Sequence, residues 1–211
     1  IINKYTKKGD RIMAKDLYTA LKERRSLYVI KKESPISDEK IQEIVELAVK
    51  HAPSAFNSQN TRAVVLLGEQ SDKFWDITKE TLRKIVSADA FADTESKMEM
   101  FKAGYGTVLF FEDMATVQGL QEQFPSYADV FPRYSAETLG MVQLIVWTAL
   151  EAEGLGATLQ HYQPLVDDAV QAEWNIPASW RLASQMPFGV PVSPAGPKEF
   201  SPIEERVKVY K

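Results

Sequence analysis

Cysteine is absent from this 211-residue chain, and histidine occurs only twice, at His51 and His161. The first absence excludes disulfides, thiolate metal sites and a cysteine nucleophile. The second leaves no histidine cluster for zinc and makes a Ser-His-Asp triad improbable on residue supply alone. No stretch reaches the roughly eighteen apolar residues of a membrane span, and the N-terminus lacks the apolar region of a signal peptide. A basic excess is missing too: 25 Lys and Arg face 29 Asp and Glu, for a formal net charge of -4, so nothing follows a nucleic acid backbone. Glycine motifs fail as well. "GLGATL" supplies Gly154 and Gly156, but Leu159 stands at the third glycine position and a helix precedes it, so the dinucleotide fingerprint is incomplete. Neither a phosphate-binding P-loop nor a G-x-S-x-G elbow occurs. These absences predict a soluble, unexported chain with no nucleic-acid or membrane partner and no metal. A cytoplasmic location fits the lack of cysteine.

What is present describes an ordinary globular chain, 45% hydrophobic and 26% charged, large enough for one domain with a sizeable core. Residues 1–12, "IINKYTKKGDRI", are polar and aperiodic, while Met13 opens "MAKDLYTALKERRS" like a natural start. The expectation is an extension over 1–12 and a single domain over 13–211. Asp16 is placed to cap a short helix running to about Arg25, and Ser37 a second one, with Asp38 and Glu39 in its first turn where the dipole favours acids. Ile41, Ile44, Val45 and Ala48 share one face of that second helix. Ala63 to Leu67 is continuously apolar, as a strand covered on both faces requires. A helix is predicted from Ser71, a buried strand over "GTVLFF" (106–111), and a loop-rich stretch from Gln118 to Tyr134. "SAETLGMVQLIVWTALEAE" (135–153) is helical and apolar nearly all round, so it is a central core helix, a subunit interface, or both. A strand "GATLQHY" (156–162), a helix around Leu165–Trp174, a strand near Leu182–Phe188 and a Pro-rich tail complete the pattern.

Two polar groups of residues remain to be explained. "KERRSLY" places Arg24, Arg25 and Ser26 at a helix end. Paired arginines suit a phosphate dianion, although basic residues in a last turn are favourable anyway. "HAPSAFNSQNTRAVVLLG" (51–68) ends a helix at Pro53 and then presents Ser54, Asn57, Ser58 and Gln59. Their amides and hydroxyls both donate and accept, as a heteroaromatic edge such as flavin's requires. A loop capped by its own side chains is the simpler alternative.

"RRS" after a short N-terminal helix, "APSAFNSQ" before a buried strand, and "GATLQHY" after a long apolar helix resemble, in that order, the FMN-dependent nitroreductase family. The resemblance is narrower to its short bacterial and fungal-type branch, the nitroreductase-like or stress-related oxidoreductases, and it runs from about Lys15 to the C-terminus. It implies an α+β fold with a mixed, mostly antiparallel sheet wrapped by helices, in an intertwined homodimer with FMN at the interface. By the same resemblance Arg24, Arg25 and Ser26 bind the FMN phosphate and ribityl chain, with Tyr28 close by. Ser54, Asn57 and Gln59 face the ring from the partner subunit. Gln160, His161 and Tyr162 pass the reacting edge chiefly with their main chain. Lys198 in "GPKEFSP" matches the family's closing phosphate motif, but Phe200 stands where that motif has an arginine, which leaves Arg25 or Arg206 to compensate. The implied activity is ping-pong: NADH or NADPH gives a hydride to FMN, and a nitroaromatic or quinone acceptor is then reduced. No side chain is assigned a catalytic role. A weakly catalytic or non-catalytic FMN-binding stress or regulatory module is the alternative. The aromatic run Phe124, Tyr127, Phe131 and Tyr134 is read either as the mouth of the site or as core beneath a loop.

Overall fold

The computed structural model describes residues 14–211; the expectations about residues 1–12 and about a start at Met13 lie outside them. Helix α1 (Leu17–Glu23) is capped by the Asp16 carboxylate, which accepts from the amides of Tyr18 and Thr19. It ends two residues before the expected Arg25, because Arg24 turns to an extended ψ of 121°. The two-residue strand β1 (Ile30–Lys31) follows. Helix α2 (Asp38–His51) is capped by Ser37 and buries Ile41, Ile44, Val45 and Ala48, the face set by the 3.6 period.

Strand β2 (Thr61–Leu67) leads into helix α3 (Glu69–Arg83) and then helix α4 (Phe91–Lys102). Strand β3 (Gly106–Asp113), helix α5 (Met114–Gln123) and helix α6 (Phe131–Ala152) come next. Strand β4 (Gly156–Ala157), helix α7 (Asp167–Trp174), strand β5 (Trp180–Pro191) and helix α8 (Ile203–Arg206) close the chain. The sheet order is β1-β5-β3-β2 with β4 also on β5, and every strand pairing is antiparallel.

Strand β3 is buried along its whole length, and its alternation divides the core in two. Val108 and Phe110 pack with α2 and α6, through Ile41, Val45, Val142 and Val146. Leu109 and Phe111 pack on the opposite face with Phe74 and Trp75 of α3, Met98 and Phe101 of α4, and Val170 of α7. Helices on both faces of an antiparallel sheet make the α+β architecture. Among the described residues no helix is long and apolar enough to cross a membrane.

Several elements differ from expectation. The stretch 118–134, read as loop-rich, is instead the end of α5, a 3-10 helix (Pro125–Val130) and the first turn of α6. Only Val117 of α5 is buried, so it carries no apolar period to read. "GATLQHY" is a strand only over Gly156–Ala157, followed by an isolated bridge between Gln160 and Gln185. Helix α3 begins at Glu69, and Ser71 lies inside it with its hydroxyl 2.8 Å from that of Thr107. Ala63 and Val65 of β2 are only half-buried, because their face opens on a groove of about 820 Å³ lined by Val45, Val49, Ala63, Val65 and Leu67 together with charged residues of α2. Helix α6 buries one stripe in the core and leaves Met141 and Leu144 exposed on another.

Candidate functional site

Two groups of candidate residues assemble at different places on the chain. At the first, the extended segment after α1 runs along β4: the Leu27 amide donates to the Ala157 carbonyl at 3.0 Å, and Ser26 forms a parallel bridge with Ala157. Gly156 permits this approach, since a Cβ there would lie 2.9 Å from Leu27 Cδ1 and 3.2 Å from Pro191 Cβ. The Arg24 guanidinium is stacked 4.4 Å above the Trp147 ring of α6. Its Nε is buried with no hydrogen-bond partner among the described residues. Burial depresses its pKa, Glu151 opposes the shift and Arg25 adds to it. A cation drawn from water with an orphan N–H is suited to an incoming anion. Arg25 donates from Nη1 to the Gly196 carbonyl at 2.8 Å, which draws the tail bearing Lys198 towards the arginines. Lys198 itself is exposed, its ammonium 5.2 Å from the Phe200 ring.

The segment 158–163 joins this group, and its course is set by Gln185, a fully buried residue of β5. Gln160 and Gln185 exchange backbone hydrogen bonds at 2.7 and 2.9 Å. The Gln185 side chain then accepts from the Tyr162 amide at 2.8 Å and donates to Gln163 at 3.2 Å. The Gln160 side chain points inward and donates to Thr158, whereas His161 is exposed. Tyr162 meets Trp75 edge-on at 5.9 Å, and its hydroxyl is pushed up to about 12 by burial and by neighbouring Tyr28. The backbone contacts bring the segment carrying Arg24, Arg25, Ser26 and Tyr28 beside the start of the 156–162 segment, and the Arg25 bond to Gly196 brings the Lys198 tail near, while the Gln160 side chain is turned away into the interior. Gln185 escaped the sequence reading, though a lone glutamine amid "LASQMPF" is its signal.

The second group is the run after α2. Its backbone is unusual: Phe56, Asn57 and Gln59 have φ of 57°, 50° and 48°, a region that side chains seldom occupy. The Ser54 hydroxyl accepts from the Gln59 amide at 3.0 Å, so Ser54 serves the loop itself. Asn57 and Gln59 are exposed, and their side chains make no hydrogen bond among the described residues. Asn60, 1% exposed, anchors the loop. It accepts from Ser58 and donates to Ser135 of α6, which in turn donates to Glu112 at 2.6 Å. Arg181 reaches the other Glu112 oxygen at 2.7 Å, satisfying a carboxylate only 4% exposed. Asn60, Glu112, Ser135 and Arg181 were not legible in the sequence, because their partners lie far along the chain.

The residues of the aromatic run differ in burial. Phe131 is 2% exposed and belongs to the core, whereas Tyr127 is 53% exposed. Phe56 unites them, its ring centroid 4.8 Å from Phe124, 5.5 Å from Phe131 and 6.4 Å from Tyr127.

Helix α6 measures the gap between the groups. Ser135 holds the second group and Trp147 the first, and their separation along the helix is about 18 Å.

The sequence model described as the Nitroreductase family matches residues 21–190. The nitroreductase FRM2 of Saccharomyces cerevisiae is 37% identical over 194 residues, 90% of this chain and 95% of its own. Nitroreductase CinD from Lactococcus lactis, solved in complex with chloramphenicol, is 43% identical with a TM-score of 0.84, covering 93% of this chain and all of its own. The same protein has been solved with 4-nitrophenol. A protein from Exiguobacterium sibiricum in complex with FMN shares the fold at 15% identity, with a TM-score of 0.70 over 94% of this chain and 99% of its own.

Proposed function

The chain belongs to the nitroreductase family, and from that premise we propose that it is an FMN-dependent NAD(P)H oxidoreductase that reduces nitroaromatic or quinone acceptors. The observation that carries the cofactor is Arg24: a partly desolvated guanidinium whose Nε is buried with no partner among the described residues, beside Arg25 and the lysine-bearing tail. The FMN phosphate supplies the missing acceptor there. Arg24, Arg25, Ser26 and Lys198 hold phosphate and ribityl chain, and Tyr28 packs beside them. Segment 160–162, braced by Gln185, runs past the reacting edge. FMN held there would supply the redox chemistry, a two-electron transfer from NADH or NADPH to the acceptor that replaces it. The residues provide position and charge; Tyr162 stays protonated at neutral pH and is given no acid-base task.

Asn57 and Gln59 complete the site from a second copy of the chain. Three features support a homodimer. The α6 residues that hold the two groups, Ser135 and Trp147, lie about 18 Å apart along the helix, apolar residues of α1 and α6 stand exposed (Leu17, Tyr18, Met141, Leu144), and β2 is an unpaired edge beside a groove with an apolar floor and a charged rim. The C-terminal arm, with Val207, Val209 and Tyr210 exposed, fits that groove on the second copy, where it would blunt the edge strand. The working location is the cytoplasm, where pyridine nucleotides are at hand.

Initial rates with varied NADH and menadione test the reaction order. Parallel double-reciprocal lines are expected. Intersecting lines would rule out ping-pong exchange, and bound FMN without turnover would favour the regulatory module.

A further inference from the structure

We propose that Phe56 determines acceptor specificity, forming with Tyr127 a stacking platform for planar aromatic compounds. The inference rests on the flavin-reductase reading above and adds a specificity-determining residue to it. Three observations meet at this ring. First, Phe56 is a bulky residue at φ 57° and ψ 22°, a strained conformation that glycine or asparagine adopts readily. Second, the ring is packed from below and not covered: it contacts Phe124 and the buried Phe131, yet the residue stays 54% exposed. Neither backbone nor burial accounts for a phenylalanine here. Third, its chain neighbour Asn57 and nearby Gln59 are the exposed amides proposed to face the ring of the cofactor. A planar acceptor lying against those amides would be met by Phe56, with Tyr127, 53% exposed and 6.4 Å away between centroids, extending the apolar surface. Offset or tilted stacking on such rings favours aromatic over saturated ligands of equal size.

The test compares wild type with Phe56→Gly, Phe56→Leu and Phe56→Tyr as FMN-loaded proteins. Calorimetry gives Kd for 4-nitrobenzoate and, as a saturated partner of similar size, cyclohexanecarboxylate; FMN affinity and Tm are measured alongside. The platform predicts that Gly and Leu weaken 4-nitrobenzoate relative to the saturated acid by roughly three- to tenfold. Tyr restores the ratio, and FMN affinity stays within twofold. An unchanged ratio with FMN bound overturns the proposal. A parallel loss of both acids, FMN and Tm also overturns it, since Phe56 would then be only a pin for the loop. Should Phe56→Gly not fold, Phe56→Leu gives the same decision, because it keeps the apolar plug without the ring. A wild-type protein that takes up no FMN overturns the reductase reading as well.

Discussion

Arg24 illustrates how a single side chain reports on a site. Its charge is held over Trp147, partly out of water, and one of its N–H groups has no partner among the described residues. Charge-assisted hydrogen bonds contribute about 1.5–3 kcal/mol, so Arg24→Ala should weaken FMN by roughly ten- to a hundredfold. Quenching of FMN fluorescence on titration would show it; an affinity within twofold of wild type would remove Arg24 from the phosphate site. Phe200→Arg, which supplies the arginine that the family's closing motif carries, should tighten FMN several-fold in the same assay. Tyr162 makes a pH prediction. Its raised value means the folded protein holds that proton more firmly than the unfolded chain. The contribution is thus fully present below the ordinary value of 10.0 and is lost as pH rises from there to about 12. Tyr162→Phe should flatten the decline of unfolding free energy across that window in urea titrations. At this scale the sequence was legible where residue type announces chemistry, as in "RRS". It was silent where the feature is a dihedral: nothing in the letters of "SAFNSQ" announces that Phe56 is left-handed.

Among the elements, the 54–60 loop and the N-terminus of α6 form one unit through Asn60, Ser135 and Glu112. Ser135 is both acceptor and donor in that chain, so Ser135→Ala leaves two buried polar groups short of a partner. Each unpartnered group costs about 1–3 kcal/mol; the urea midpoint should fall accordingly, and FMN affinity with it, since the loop loses its anchor. A variant as stable as wild type would show that the network is not what holds the loop. Caps and one-sided periodicity made α2 readable, and a continuous apolar run did the same for β3. Helix α5 was missed because one buried valine makes no period. The strand expected at "GATLQHY" shortened because backbone pairing beyond Ala157 thins to the Gln160–Gln185 bridge, and at Tyr162 the Gln185 side chain takes the amide in place of a ladder partner, a tertiary substitution that local pattern cannot carry.

For the whole molecule, the claim is that each site draws on two chains. At FMN concentrations too low to load either variant, mixing Arg24→Ala protein with an Asn57→Ala, Gln59→Ala variant should raise activity above that of each alone, because a mixed dimer contains one site with every residue intact; about a quarter of sites recover under random exchange. No recovery would place the whole site within one chain. Removing residues 203–211 should shift the protein towards monomer in analytical ultracentrifugation, and an unaltered dimer would clear the arm of that role. The apolar character of 135–153 made a core helix legible, and α6 does bury a stripe in the core, but the groove beside β2 depends on how α2 lies over the sheet and could not be read from the run Ala63–Leu67. The most direct test of the account is the visible spectrum of the purified protein, reconstituted with FMN if colourless, then treated anaerobically with NADH and with NADPH. Flavin bands that bleach with pyridine nucleotide and return with a nitroaromatic or quinone are the predicted result. A colourless protein that takes up no FMN would contradict it.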